Sequence, residues 1–133
     1  MLPVIDSNII DPDEVITRYI LSSSGYSSAN LRVKPRALEP SPSDQCTSVF
    51  RIRGLQDTEI WEMGIREVVG TREQHLHARA DILVLSVQTL NLSVRPDEPP
   101  IRHALIYDWP PDKHARMAKA QELAARALLR LNP

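Results

Sequence analysis

The chain has one cysteine, Cys46, among 133 residues. A single thiol excludes an intrachain disulfide and any CxxC metal knuckle. Glycine is nearly as scarce: Gly25, Gly54, Gly64 and Gly70 are the only four, and they lie far apart. Neither a Walker loop nor a GxGxxG dinucleotide turn can be assembled from them, and no GxSxG elbow occurs. Aromatic residues make up 5%, too few for the stacking platforms that grip single-stranded nucleic acid. No excess of one charge exists either. Sixteen Lys and Arg stand against 17 Asp and Glu, for a net charge of −1. Whole-molecule attraction to DNA, RNA or anionic membrane is thereby excluded, and only a local patch can bind such partners. The longest uncharged apolar stretch, Ile82 to Val87 with one serine, is far too short for a bilayer.

What is present suits one packed domain. Hydrophobic residues make up 42% and charged residues 25%, a globular balance at a length that buries a sizeable core. Met1-Leu2-Pro3-Val4 lacks the basic start of a secretory signal, so the expected setting is cytoplasmic. Arginine supplies 13 of the 16 basic residues, which points to GC-rich bacterial codon usage. Residues 1–10 read as an extended arm ahead of the domain.

Local patterns give the elements. Asp11, Pro12 and Glu14 meet three helix-start preferences, and Val15, Ile16, Tyr19 and Ile20 follow at helical spacing. A first helix is expected at about residues 12–22. Leu31, Val33, Pro35 and Ala37 alternate with Arg32, Lys34 and Arg36, the pattern of a strand at a sheet edge. Ser48 to Arg53 reads as a second strand. A short helix opens at Gln56 or Asp57 and ends at Gly64, with Ile65 to Val69 as an extended connection. Thr71 to His77 reads as a polar loop. Ala78 to Leu90 has helical periodicity, although its β-branched content leaves a strand open. Leu92–Arg95 and Ile101–Tyr107 read as a hairpin across Pro96–Pro100. Asp112 to Leu131 is an amphipathic terminal helix, with Leu123, Ala124 and Leu128 buried and Glu122 and Arg126 spaced for an i,i+4 pair. The order α-β-β-α-α-β-β-α implies a single α+β domain of antiparallel hairpins covered by helices.

Two groups of side chains carry chemistry. Arg32, Lys34 and Arg36 share one face of their strand, and Arg51 and Arg53 one face of the next. Paired, these strands would stand five cations together, and a bound anion would relieve their repulsion. The bland alternative is a solvated sheet face. The second group is His75, His77, Arg79, Arg102, His103, Asp112, Lys113 and His114. His103 with His75 or His77 would supply a base and an acid for metal-independent phosphate chemistry, with Arg79, Arg102 and Lys113 stabilising the charge that develops. Against this, His103 shares its face with Ile101, Leu105 and Tyr107, where a hydrogen-bonded core histidine is usual. His75-x-His77 alone falls short of a metal site, and no metal or cofactor is implied.

The preferred function is a small binding or regulatory module whose basic sheet face engages an acidic or phosphate-bearing partner: a protein, a nucleotide or a nucleic acid. The alternative is a small enzyme using the histidine–arginine cluster on a phosphate or nucleotide substrate. A third possibility is a subunit of a larger homo- or hetero-oligomeric assembly. No membrane partner is expected.

Overall fold

Residues 15–20, Val-Ile-Thr-Arg-Tyr-Ile, form strand β1 (Val15–Ile20) and not the expected helix. The Asp-Pro-Asp sequence before it makes a turn, closed by Glu14 N donating to Asp11 O at 3.1 Å. Asp and Pro favour turns as strongly as helix starts, and the β-branched residues that follow pack better on a pleated surface. The structure, a computed structural model, describes residues 9–133. The expected N-terminal arm therefore lies mostly outside the described residues.

The next strands are short. β2 (Tyr26–Ser27) and β3 (Arg32–Val33) make a two-stranded antiparallel ribbon. The expected strand from Leu31 to Ala37 is thus cut to two residues, because Pro35 opens a 3₁₀ turn over Pro35–Ala37. β4 (Thr47–Arg51) pairs with β1 and not with the ribbon. Helix α1 (Asp57–Gly64) starts with a capping box between Gln56 and Glu59. Gly64 does not end it. The chain continues as a π-helical turn over Ile65–Val69, where an extended connection was expected. Gly70, at φ +54°, terminates that turn, and its amide reaches Ile65 O at 2.8 Å.

The segment from Ala78 to Leu90 divides, with its first half a strand, β5 (Ala78–Leu83), and its second half helix α2 (Val84–Thr89). The hairpin is present as β6 (Ser93–Pro96) and β7 (His103–Tyr107). Helix α3 (Lys113–Arg126) is capped by Asp112, which accepts from Ala115 N. It stops five residues before Leu131, and β8 (Leu128–Leu131) adds a further strand instead. Continued helix would satisfy the apolar spacing, but it would leave the outer edge of β5 unpaired. Pairing β8 there satisfies those backbone groups.

Among the described residues the result is a mixed α+β fold with three α-helices and a six-stranded antiparallel sheet in the order β6-β7-β4-β1-β5-β8. One sheet face carries Ile16, Ile20, Val49, Ile82, Ala104 and Ile106 against Val87 of α2 and Ala120 and Leu123 of α3. The other carries Tyr19, Phe50 and Ile52 against Ile60 and Met63 of α1. Leu123 and Ala124 are buried as expected, whereas Leu128, on the edge strand, is 53% exposed. Glu122 and Arg126 approach to 3.9 Å as their spacing implied. No helix of the described residues is long and apolar enough to cross a membrane.

Candidate anion-binding site

The pairing of β1 with β4 covers Ile16 with Arg51 and Thr17 with Phe50, and goes no further. Beyond that point the side chain of Arg18 takes over from the ladder. Its Nη1 donates to Ser48 O and its Nε to Ala37 O, both at 3.0 Å. Period two places Arg18 on the same side of β1 as the buried Ile16 and Ile20. Burial accordingly lowers its pKa from the ordinary arginine value. No carboxylate among the described residues pairs with it, and its Nη2 has no protein acceptor there. An arginine in this position keeps its charge and presents one donor pair without a partner.

Arg18 borders two neighbouring hollows that also share Tyr19, Val68 and Arg72, and these are taken together as two lobes of a candidate cleft. The first lobe, about 340 Å³, is bordered by Arg18, Arg36, Arg72, Ser22, Ser24 and Gln74. The second, about 310 Å³, is bordered by Arg18, Arg72, Ser48, Glu67 and His103, with Phe50, Val68 and Pro100 as apolar wall. Tyr19 borders both, its hydroxyl donating to Ile60 O. That buried phenol is held well above its usual pKa, mainly by desolvation, and stays neutral. The first lobe thus has three arginines and no carboxylate. The second shares two of them but adds Glu67, which Arg66 contacts at 3.2 Å.

His103 closes the second lobe in a fixed orientation. Its Nδ1 lies 3.0 Å from the carbonyl and 3.1 Å from the carboxylate of Asp97, both of which accept from Nδ1–H. The ring meets Phe50 edge-on at 5.2 Å. Nε2 is the ring nitrogen left over, so it is the atom available for proton transfer at this wall.

The structure distributes the other candidate residues widely. Arg36 borders the first lobe, while Arg32 and Lys34 are exposed elsewhere. Arg51 does not reach a solvated face. Its register opposite Ile16 turns it inward, where it forms a two-pronged pair with buried Glu14 at 2.5 and 3.0 Å. Arg53 is taken by Asp11 and Asp13. The five cations therefore do not share a sheet face.

Nor does the histidine–arginine cluster converge. Arg79 lies buried under the ring of Trp61, its guanidinium carbon 4.7 Å from the centroid, and pairs with Asp57 and Asp81. It borders a separate cleft of about 560 Å³ that also holds Arg130 and Leu128. Lys113 borders a third hollow beside Glu39 and Arg116. His75 and His77 pack against each other at 4.9 Å, and His77 Nδ1 meets the Tyr26 hydroxyl at 3.3 Å. Arg102, at φ +70°, donates to Arg51 O and Arg53 O and pins the end of β4. Among the described residues no group of three metal-ligating side chains is assembled.

Two principal residues of the cleft, Arg18 and Arg72, carry no sequence signal of their own. Arg18 becomes conspicuous only once Val15–Ile20 is taken as a strand, when a charge falls between two core isoleucines. Comparison of the chain with family models, with curated proteins and with solved structures found no match.

Proposed function

We propose that this protein is a small binding module that captures a phosphate-bearing ligand in the two-lobed cleft around Arg18. The observation that carries the reading is Arg18 itself, an arginine recessed between strands with a free donor pair and no carboxylate to neutralise it. That donor pair is reached by solvent and not sealed in the core, so an anion entering the cleft can replace water on it with charge-assisted hydrogen bonds. Arg36 and Arg72 border the same lobe, and neither has an acidic partner among the described residues. The cleft replaces the basic sheet face as the binding element, and its size suits a small molecule better than a flat macromolecular surface. A lone half-buried thiol, Cys46, fits a reducing, cytoplasmic setting.

The test is a calorimetric titration of the full chain with inorganic phosphate at low salt. Binding is expected, weakening as salt screens the arginines. It is lost in Arg18→Met and falls at least tenfold in Arg72→Ala. Phosphate binding unaffected by either change, or no binding at all, overturns the reading.

The Asp97–His103 pair supports a second reading, in which the same cleft turns over a phosphate ester with Nε2 as general base. Hydrolysis of a phosphate ester by the wild type, abolished in His103→Ala without loss of phosphate binding, would establish it. No turnover of any ester leaves the module alone.

A further inference from the structure

The two lobes differ in chemistry, and that difference defines the ligand further. We infer that the cleft takes a nucleoside monophosphate whose base carries an exocyclic amino group, with phosphate in the first lobe and base in the second. The inference rests on the cleft being a phosphate site. The first lobe supplies Arg18, Arg36 and Arg72 with no carboxylate, and the mutually bonded hydroxyls of Ser22 and Ser24 leave one proton to donate. This is the composition a phosphate dianion requires.

The second lobe is built for something else. Glu67 stands in it, and a carboxylate repels a second phosphate. A cationic group is equally unwelcome beside Arg18 and Arg72. What remains is a neutral group, and the wall of Phe50, Val68 and Pro100 suits the faces of a flat ring. Arg66 Nε holds Oε1 of Glu67 at 3.2 Å, and the other carboxylate oxygen, an acceptor only, selects an N–H donor on that ring. Ser48 and the leftover Nε2 of His103 can meet the ring's remaining polar edge. Arg18, bordering both lobes, sits where the ester linkage passes from one to the other. Each lobe, at about 340 and 310 Å³, is of small-molecule dimensions, so the cleft fits one mononucleotide and not a polymer.

Two ligand pairs that exchange an amino group for a carbonyl test the assignment: cytidine against uridine monophosphate, and adenosine against inosine monophosphate. Ribose 5-phosphate and inorganic phosphate complete the titration. In at least one pair the amino-bearing nucleotide is expected to bind about tenfold more tightly than its carbonyl counterpart, the worth of a hydrogen bond to a charged acceptor. It should also exceed ribose 5-phosphate. Glu67→Gln should erase the difference within that pair while inorganic phosphate still binds, somewhat more tightly because a negative charge near Arg18 and Arg72 is gone. Nucleotides binding no better than inorganic phosphate would overturn the inference and leave the phosphate site standing. Equal binding of both members of each pair would overturn the amino-group assignment. Failure of every anion, inorganic phosphate included, would instead remove the phosphate site, and this inference with it.

Discussion

Gly64 sets local propensity against packing, and Gly64→Ala decides between them. The residue lies inside helical backbone, at φ −62° and ψ −42°, where alanine is ordinarily favoured over glycine by about 1 kcal/mol. A Cβ built there, however, lies 2.5 Å from Cε1, 2.7 Å from Cδ1 and 2.9 Å from Cζ of Tyr19. Carbon atoms rest comfortably at roughly 3.5–4.0 Å, so the overlap is about 1 Å. The ring has little room to withdraw. Its hydroxyl is anchored on Ile60 O at 2.5 Å, Phe50 packs against it at 5.8 Å, and the residue is 5% exposed. Overpacking of a rigid core costs about 1–3 kcal/mol, and this geometry falls at the upper end. After the helix-propensity gain, a net loss of about 2 kcal/mol is expected. For a domain of this length that lowers Tm by about 7 °C. Thermal melts by circular dichroism measure it directly. The same substitution in a Tyr19→Leu background removes the ring carbons, so there it should be neutral or stabilising, a strong departure from additivity. Gly64→Ala that raises Tm in the wild-type background would refute the packing argument.

Two further outcomes follow from burial. Glu14→Gln removes the buried carboxylate that Arg51 grips with two donors, so chemical denaturation should show a loss of about 3 kcal/mol, partly recovered in Glu14→Gln/Arg51→Met; a loss under about 1 kcal/mol would show that this ion pair contributes little. Leu123→Ala, at a fully buried position of α3, should cost about 2–5 kcal/mol, whereas Leu128→Ala on the exposed edge should cost under about 0.5 kcal/mol. Equal losses at the two positions would mean that the β8 edge is covered by another surface.

The elements legible in the sequence are those whose local signals agree with their surroundings. The β6–β7 hairpin has alternating residues on both sides of a proline-rich connection. Helix α1 has its capping box, and α3 has Asp112 at its N-cap with a clear apolar stripe through Leu123 and Ala124. The segments misread are those where a single pattern serves two structures. Val15, Ile16, Tyr19 and Ile20 fit a helical stripe, yet in the strand Ile16 and Ile20 enter one core while Tyr19 enters the other. A strand buried on both faces loses the alternation that would reveal it. The same holds for Ala78 to Leu83. At the C-terminus, Ala127, Leu128 and Leu131 continue the helical spacing of α3, and only the unpaired edge of β5, which no local window contains, turns them into β8.

Misreading β1 also hid the cleft, because the meaning of each charge depends on the strand register. Alternation makes Arg51 and Arg53 look like neighbours on a wet face, but pairing with Ile16 turns Arg51 inward to Glu14, a residue that had been assigned to a helix start. Arg36 keeps a place in a basic site for a reason unrelated to alternation: the turn after Pro35 carries it to the lobe beside Arg72. His103 does lie on the side of β7 that its period predicted, shared with Leu105 and Tyr107. The apolar character of that side argued for a core histidine, yet β1 and β4 separate within the same layer and open it to a cleft. Where backbone pairing stops, Arg18 bridges the gap with hydrogen bonds to Ser48 and Ala37. One side chain thus spans the end of the strand pairing, borders both lobes and carries a charge no carboxylate neutralises, which is why the candidate cleft could not be assembled until the position of Arg18 in the sheet was known.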